Sequence, residues 1–183
     1  MRRIFVLLMA IAVTVSIASA QATVAIADKP ALLTSIGQSA DFEMVKVLLN
    51  RAKVPFTTDA VALPSSLPGA AKTLILSVGG SSKGLGAAGI SVDDEMARAK
   101  ALIKRAKDLG MKIIVIHVGG EARRGTLSDI FIELCVPAGD LVIVVEDGDK
   151  DGLFEKLAAP SKIAVIKVPK ITAAGAPLAA AFK

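Results

Sequence analysis

The sequence predicts a three-layer α/β domain on a mostly parallel sheet of five or six strands, flavodoxin-like or Rossmann-like. Three observations carry this. Runs of strand length, rich in Val, Ile and Leu, recur at 32–36, 73–78, 112–118, 141–146 and 163–168. They are nearly continuous rather than alternating, the pattern of strands covered on both faces. Segments of helical period separate them, and strand–helix repetition in this form builds right-handed crossovers over a parallel sheet.

The elements follow in chain order. After the first run, Ser39 is placed to cap a helix reaching Ala52, with Val45, Leu48, Leu49 and Ala52 on one face. A short strand at 55–58 opens with Pro55, so it belongs at an edge. Residues 60–72 carry Pro64, Ser65, Ser66, Pro68 and Gly69 and read as loop or one helical turn. The glycine-rich stretch 79–92 reads as a flap, so deleting 84–89 is expected to leave the fold intact. The longest helix is expected from Asp93 to Leu109. Ser91 and Asp94 open it as a capping box does, acidic residues sit at its start and basic ones at its end, and Gly110 stops it. A helix from Ser128 or Asp129 to Cys135 ends at Pro137, and another covers 152–158 before Pro160. The favoured strand order is 2-1-3-4-5-6, with 3-2-1-4-5 as the alternative. The Ala-rich tail 169–183 has no clear pattern and is set apart from the domain at 21–168.

The first 20 residues predict export. Arg2 and Arg3 precede an apolar run, and Ala18-Ser19-Ala20 follows it. Basic start, hydrophobic core and small-residue ending are the three parts of a secretory signal peptide, with cleavage expected before Gln21. The apolar run is short for a bilayer span, which needs about 20 residues. The protein is therefore expected outside the cytoplasm, in a bacterial periplasm, with no transmembrane span after cleavage.

Composition narrows the function classes. Without Arg2 and Arg3, 20 basic residues stand against 17 acidic ones, an ordinary balance for a soluble domain. No basic tract is interleaved with aromatics, so nucleic acid is not an expected partner. The absence of Trp and Tyr argues against sugar-stacking and base-stacking platforms. The single cysteine, Cys135, cannot form an internal disulfide and sits among apolar neighbours, where burial is expected.

The loops after the strands hold the candidate site, because ligands of open α/β sheets bind beyond the carboxyl ends of the strands. These are Gly37-Gln38-Ser39, then Gly80, Ser81, Ser82 and Lys83, then Glu121, Arg123 and Arg124, with His117 at the end of a central strand. Glycine amides, helix N-termini and three cations together predict a small anion site for a carboxylate or phosphate. Arg124 reads as an exposed loop residue whose loss would cost little stability.

Two motifs read as decoys. Gly84-Leu85-Gly86-Ala87-Ala88-Gly89 fits G-x-G-x-x-G but does not follow its strand directly, and no acidic residue suits the ribose position, so no cofactor is expected. Asp147, Asp149 and Asp151, with Gly152, match the opening of a calcium loop. Ala158 stands where a bidentate Glu belongs, so an ordinary strand-to-helix turn is expected, with calcium as the alternative.

The segments LLTSIGQSADFEMVKVLLNRA, LILSVGGSSKGLGAAGISVDDE and IIVIHVGGEARRGTLSDIF carry a resemblance. From Lys29 to Ala158 the chain resembles an uncharacterised family of small secreted bacterial α/β proteins. The resemblance implies an envelope protein and carries no catalytic residues. The expected function is a non-catalytic binder or transport accessory for a small anionic metabolite, with an envelope transport protein as a partner. The alternatives are an envelope hydrolase or transferase using His117 with a loop serine or acid, and a protein-interaction scaffold.

Overall fold

The computed structural model describes residues 25–67 and 69–183. The expected leader lies outside them. Six parallel strands form one sheet: β1 (Ala31–Ile36), β2 (Phe56–Thr58), β3 (Thr73–Val78), β4 (Lys112–His117), β5 (Leu141–Val145) and β6 (Ala164–Val168). Their order is β2-β1-β3-β4-β5-β6, the favoured of the two orders predicted. Among the described residues, six α-helices accompany them: α1 (Asp41–Arg51), α2 (Ser82–Ala88), α3 (Val92–Asp108), α4 (Thr126–Cys135), α5 (Leu153–Ala158) and α6 (Gly175–Ala180).

The continuous apolar runs are explained by two cores, one on each face of the sheet. Leu74, Leu76, Ile113, Val115, Val142 and Val144 point toward α3, α4 and α5. Leu33, Ile75, Ile114, Ile116 and Ile143 point toward α1 and α6. Every residue of β1, β3 and β5 is buried, so these strands have no polar face to alternate. The edge strand β2 is half-buried to exposed, in keeping with its Pro55 entry. The tail is part of this packing. Leu178, Ala181 and Phe182 are buried on the α1 side, and the Lys183 N–H donates to the Ala27 carbonyl.

The cap of α3 forms as expected: the Ser91 hydroxyl accepts from the Asp94 N–H at 3.0 Å and donates to the Asp94 carboxylate at 2.6 Å. The stretch 79–92 does not. It folds as α2, whose first turn is closed by Ser81 in the role Ser91 has for α3: its hydroxyl accepts from the Gly84 N–H at 3.1 Å. Gly89 ends the helix at φ +67°. Glycine lowers helix propensity by about 1 kcal/mol relative to alanine. Here its absence of a side chain is used, because a Cβ on Gly84 would collide with the Gln38 carbonyl oxygen. Deleting 84–89 would remove most of α2 and the buried Leu85, so the expected tolerance does not hold.

Candidate functional site

In this strand order the connections turn from one face to the other between β1 and β3, and the crevice at that point is the usual ligand seat of the architecture. Here the protein's own groups fill it. The Ser39 N–H donates to the Gly79 carbonyl at 3.1 Å, and the Ser81 N–H donates to the Gly37 carbonyl at 2.8 Å. The Gly80 N–H donates to the Ser128 hydroxyl at 2.9 Å. Leu127 lies so close to Gly80 that a Cβ there would stand 2.7 Å from it.

A buried ion pair fastens the same loop from below. The Glu95 side chain is fully buried and its Oε2 accepts from Arg98 Nε at 2.7 Å. Glu95 Oε1 accepts from the Gly37 N–H at 2.7 Å and from Gln38 Nε2 at 3.0 Å. Arg98 also donates to the Ser35 and Ala62 carbonyls. Burial pushes the Glu95 carboxyl upward, but Arg98, the Gly37 amide and Gln38 outweigh it and hold the group below its ordinary value. The sequence placed Glu95 merely among the acidic residues at a helix start. Its signal was the pair Glu95/Arg98 at i, i+3, too common on solvated helices to mark a buried pair.

Asp41 closes the top of the crevice. Its carboxylate accepts from the Ser39 hydroxyl at 2.8 Å and lies 3.7 Å from Arg123 Nε. The Arg123 side chain passes over Gly119, where a Cβ would clash with it. Gly37, Gln38, Ser39, Gly80 and Ser81 therefore lie together, but their donors are spent inside the fold, on the Gly79 and Gly37 carbonyls, Glu95, Ser128 and Asp41. Ser82 and Lys83 lie at the start of α2. Lys83 is exposed and joins neither Arg123 nor Arg124 in any described contact.

The open cleft lies farther along, beyond β4 and β5. It encloses about 290 Å³ and is lined by Glu121, Arg124, Asp129, Asp147, Lys150 and Asp151. Arg124 is its centre. Nε donates to Asp129 Oδ1 at 2.7 Å, and Nη2 donates to Asp151 Oδ2 at 2.8 Å. Nη1 donates to the Gly148 carbonyl, and the guanidinium lies 5.8 Å from the centre of the Phe154 ring. Only 13% of the Arg124 side chain is exposed, which overturns its expected place as a free loop cation. Asp151 and then Asp129 raise its pKa, and Arg124 in turn holds the Asp151 carboxyl down at about 2. Lys150 pairs with Glu121 at the rim, lowering the carboxyl and raising the ammonium.

His117 sits beneath this cleft with no exposure. Nδ1 is 2.9 Å from the Val78 carbonyl oxygen and Nε2 is 3.3 Å from that of Gly120. Its ring packs against Phe154 at 5.4 Å between centres. Both nitrogens face main-chain acceptors, which gives the ring a structural post joining the β3 and β4 loops. Cys135 is buried, and burial, followed by the charge of Glu95, pushes its thiol up and away from thiolate chemistry.

The three aspartates of the calcium-like motif take separate tasks. Asp149 is buried, accepts from the Phe154 N–H at 2.8 Å to cap α5, and lies 3.0 Å from the Lys167 ammonium. Asp151 turns to Arg124, and Asp147 packs on Gly120. Among the described residues, no three His, Cys, Asp or Glu side chains are grouped to hold a metal ion.

Comparison with known proteins gives one relationship. No curated protein and no solved structure matches the chain. Residues 28–182 match the family described as "Domain of unknown function (DUF6305)", a span that takes in every strand of the sheet and the C-terminal helix. The chain therefore belongs to the DUF6305 family, a family of unknown function.

Proposed function

We propose that this is an exported, non-catalytic binding protein that holds a small polar ligand in the cleft beyond β4 and β5. The leader-like residues 1–20 support export, and among the described residues no helix is long and apolar enough to cross a membrane. The observation that carries the reading is the cleft itself, which stands open beside a crevice filled by the protein's own groups. The enclosure of His117 between two carbonyls leaves it no solvent face from which to act as a base, which weighs against the hydrolase reading.

The lining also bears on the ligand. Four carboxylates surround two cations, and both cations are already paired. A plain anion would have to displace Asp151 or Glu121 and remain beside the other acids. A zwitterion meets the site better. Its acidic group exchanges with an exposed carboxylate on Lys150, since exposed pairs are worth only about 0–1 kcal/mol, and its ammonium lies toward Asp147. The small anion expected from sequence thus becomes a ligand that carries a positive group as well.

Thermal melting with millimolar amino acids, small amines, dicarboxylates and phosphate tests this. A zwitterionic amino acid is expected to raise Tm by a few degrees in the wild type and less in Asp147→Asn and Lys150→Gln. A ligand at 100 times its Kd stabilises by about 2.7 kcal/mol. A series in which none of these compounds moves Tm would overturn the proposal.

A further inference from the structure

The opposite edge of the sheet carries a second cleft of different chemistry. It encloses about 500 Å³ where β4 and β5 begin, within the ~300–1,000 Å³ range of small-ligand sites. Lys107, Lys112 and Lys162 line it, with Asp140 as its one carboxylate. That carboxylate is committed: Asp140 Oδ1 accepts from the Lys112 ammonium at 2.7 Å, and Oδ2 accepts from the Ile113 N–H at 2.9 Å. Among the described residues, neither Lys107 nor Lys162 lies within ion-pair distance of a carboxylate; the neighbouring Asp108 pairs with Lys104.

Helix carboxyl ends reach this edge, and lysines commonly complement them. Here the helix ends close on their own amides. After α3, the Gly110 N–H donates to the Lys107 carbonyl at 2.9 Å and the Met111 N–H to the Ala106 carbonyl at 3.0 Å. After α5, the Lys162 N–H donates to the Ala159 carbonyl at 3.0 Å and the Ile163 N–H to the Ala158 carbonyl at 3.1 Å. These carbonyls are satisfied without the ammonium groups. Lys107 and Lys162 are left in excess, beside the exposed Lys112–Asp140 pair and around a concave space roomy enough for a ligand.

We propose that this cleft binds a compact, multiply charged oxyanion through Lys107, Lys112 and Lys162. Phosphoryl and polycarboxylate groups share the chemistry required, several acceptor oxygens and more than one negative charge, met by point-charge ammonium donors. The site is separate from the cleft beyond β4 and β5 and does not depend on it. It also relocates the anion recognition that the sequence suggested to the edge where cations outnumber acids.

Calorimetric titration of the purified protein with inorganic pyrophosphate and with citrate at low ionic strength tests the proposal, with co-sedimentation on phosphatidylglycerol vesicles as a parallel arm. Binding of at least one free oxyanion is expected, weakening as salt is raised. The double variant Lys107→Gln/Lys162→Asn is expected to lose tenfold or more in affinity, because each lost ammonium removes a charge-assisted contact. Asn suits position 162, where φ is +53°. Lys107→Gln alone serves as the second variant, with a smaller loss in the same direction, and Lys83→Gln on the opposite edge is expected to bind as wild type does. Absence of heat with both oxyanions, equal affinity in wild type and the lysine variants, or association with vesicles alone would each overturn the assignment.

Discussion

Glu95→Ala is expected to destabilise the protein by about 3–5 kcal/mol, the cost of removing one partner of a buried ion pair and leaving the other uncompensated. Arg98 would keep its bonds to the Ser35 and Ala62 carbonyls but lose its counter-charge, and the Gly37 N–H would lose its acceptor. For a domain of this size, that corresponds to a fall in Tm on the order of 10 °C. Glu95→Gln retains a hydrogen-bonding oxygen and should cost less. The pH dependence has a definite sign. Because the folded carboxyl lies below its ordinary value, its contribution is present above the unfolded pKa of about 4.3 and is lost as pH falls through the lower folded value. The wild type should therefore lose stability in acid more steeply than Glu95→Gln. Urea unfolding across pH 3–7 reads both effects, and parallel acid limbs in the two proteins would contradict the network.

Arg124→Ala comes next in size, at about 2–4 kcal/mol. The residue ties the turn before α4 to the loop after β5 through Asp129, Asp151 and the Gly148 carbonyl, and it covers Phe154. Charge-assisted bonds of this kind contribute about 1.5–3 kcal/mol where the donor is buried; the pair with Asp151, 60% exposed, adds little. Arg124→Lys should recover only part of the loss, since an ammonium cannot span two carboxylates with a planar fork. Melting curves of the two variants check this. An alanine variant as stable as the wild type would return Arg124 to the solvated loop that the sequence suggested.

What was legible in the chain was what period and burial determine. The runs ending at Ile36 and Val78 are continuous because both faces of their strands are covered, and Pro55 marked the edge strand for want of an amide. Ser91 announced its helix because a cap is a local contact. The misses are non-local. Gly84 looked like loop because its close neighbour, the Gln38 carbonyl, lies on another loop of the sheet edge. Arg124 looked free because one of its partners, Asp151, lies 27 residues away. Glu95 read only as one of the acids at a helix start because its partners include the amide of Gly37, 58 residues away. The rule of strand ends puts residues 37–39 and 80–81 at one edge, where their loops do meet, but sequence gives no count of how many of their donors the fold itself consumes.

The most direct test of binding in the cleft beyond β4 and β5 is amide NMR mapping during titration with a pool of zwitterionic amino acids. Saturable shifts are expected at Gly119, Gly120, Glu121, Gly148 and Lys150, with the β1–β3 crevice amides of Gly37 and Gly80 unmoved because they are bonded internally. Shifts centred on Gly37 and Gly80, or none at the cleft, would contradict the account.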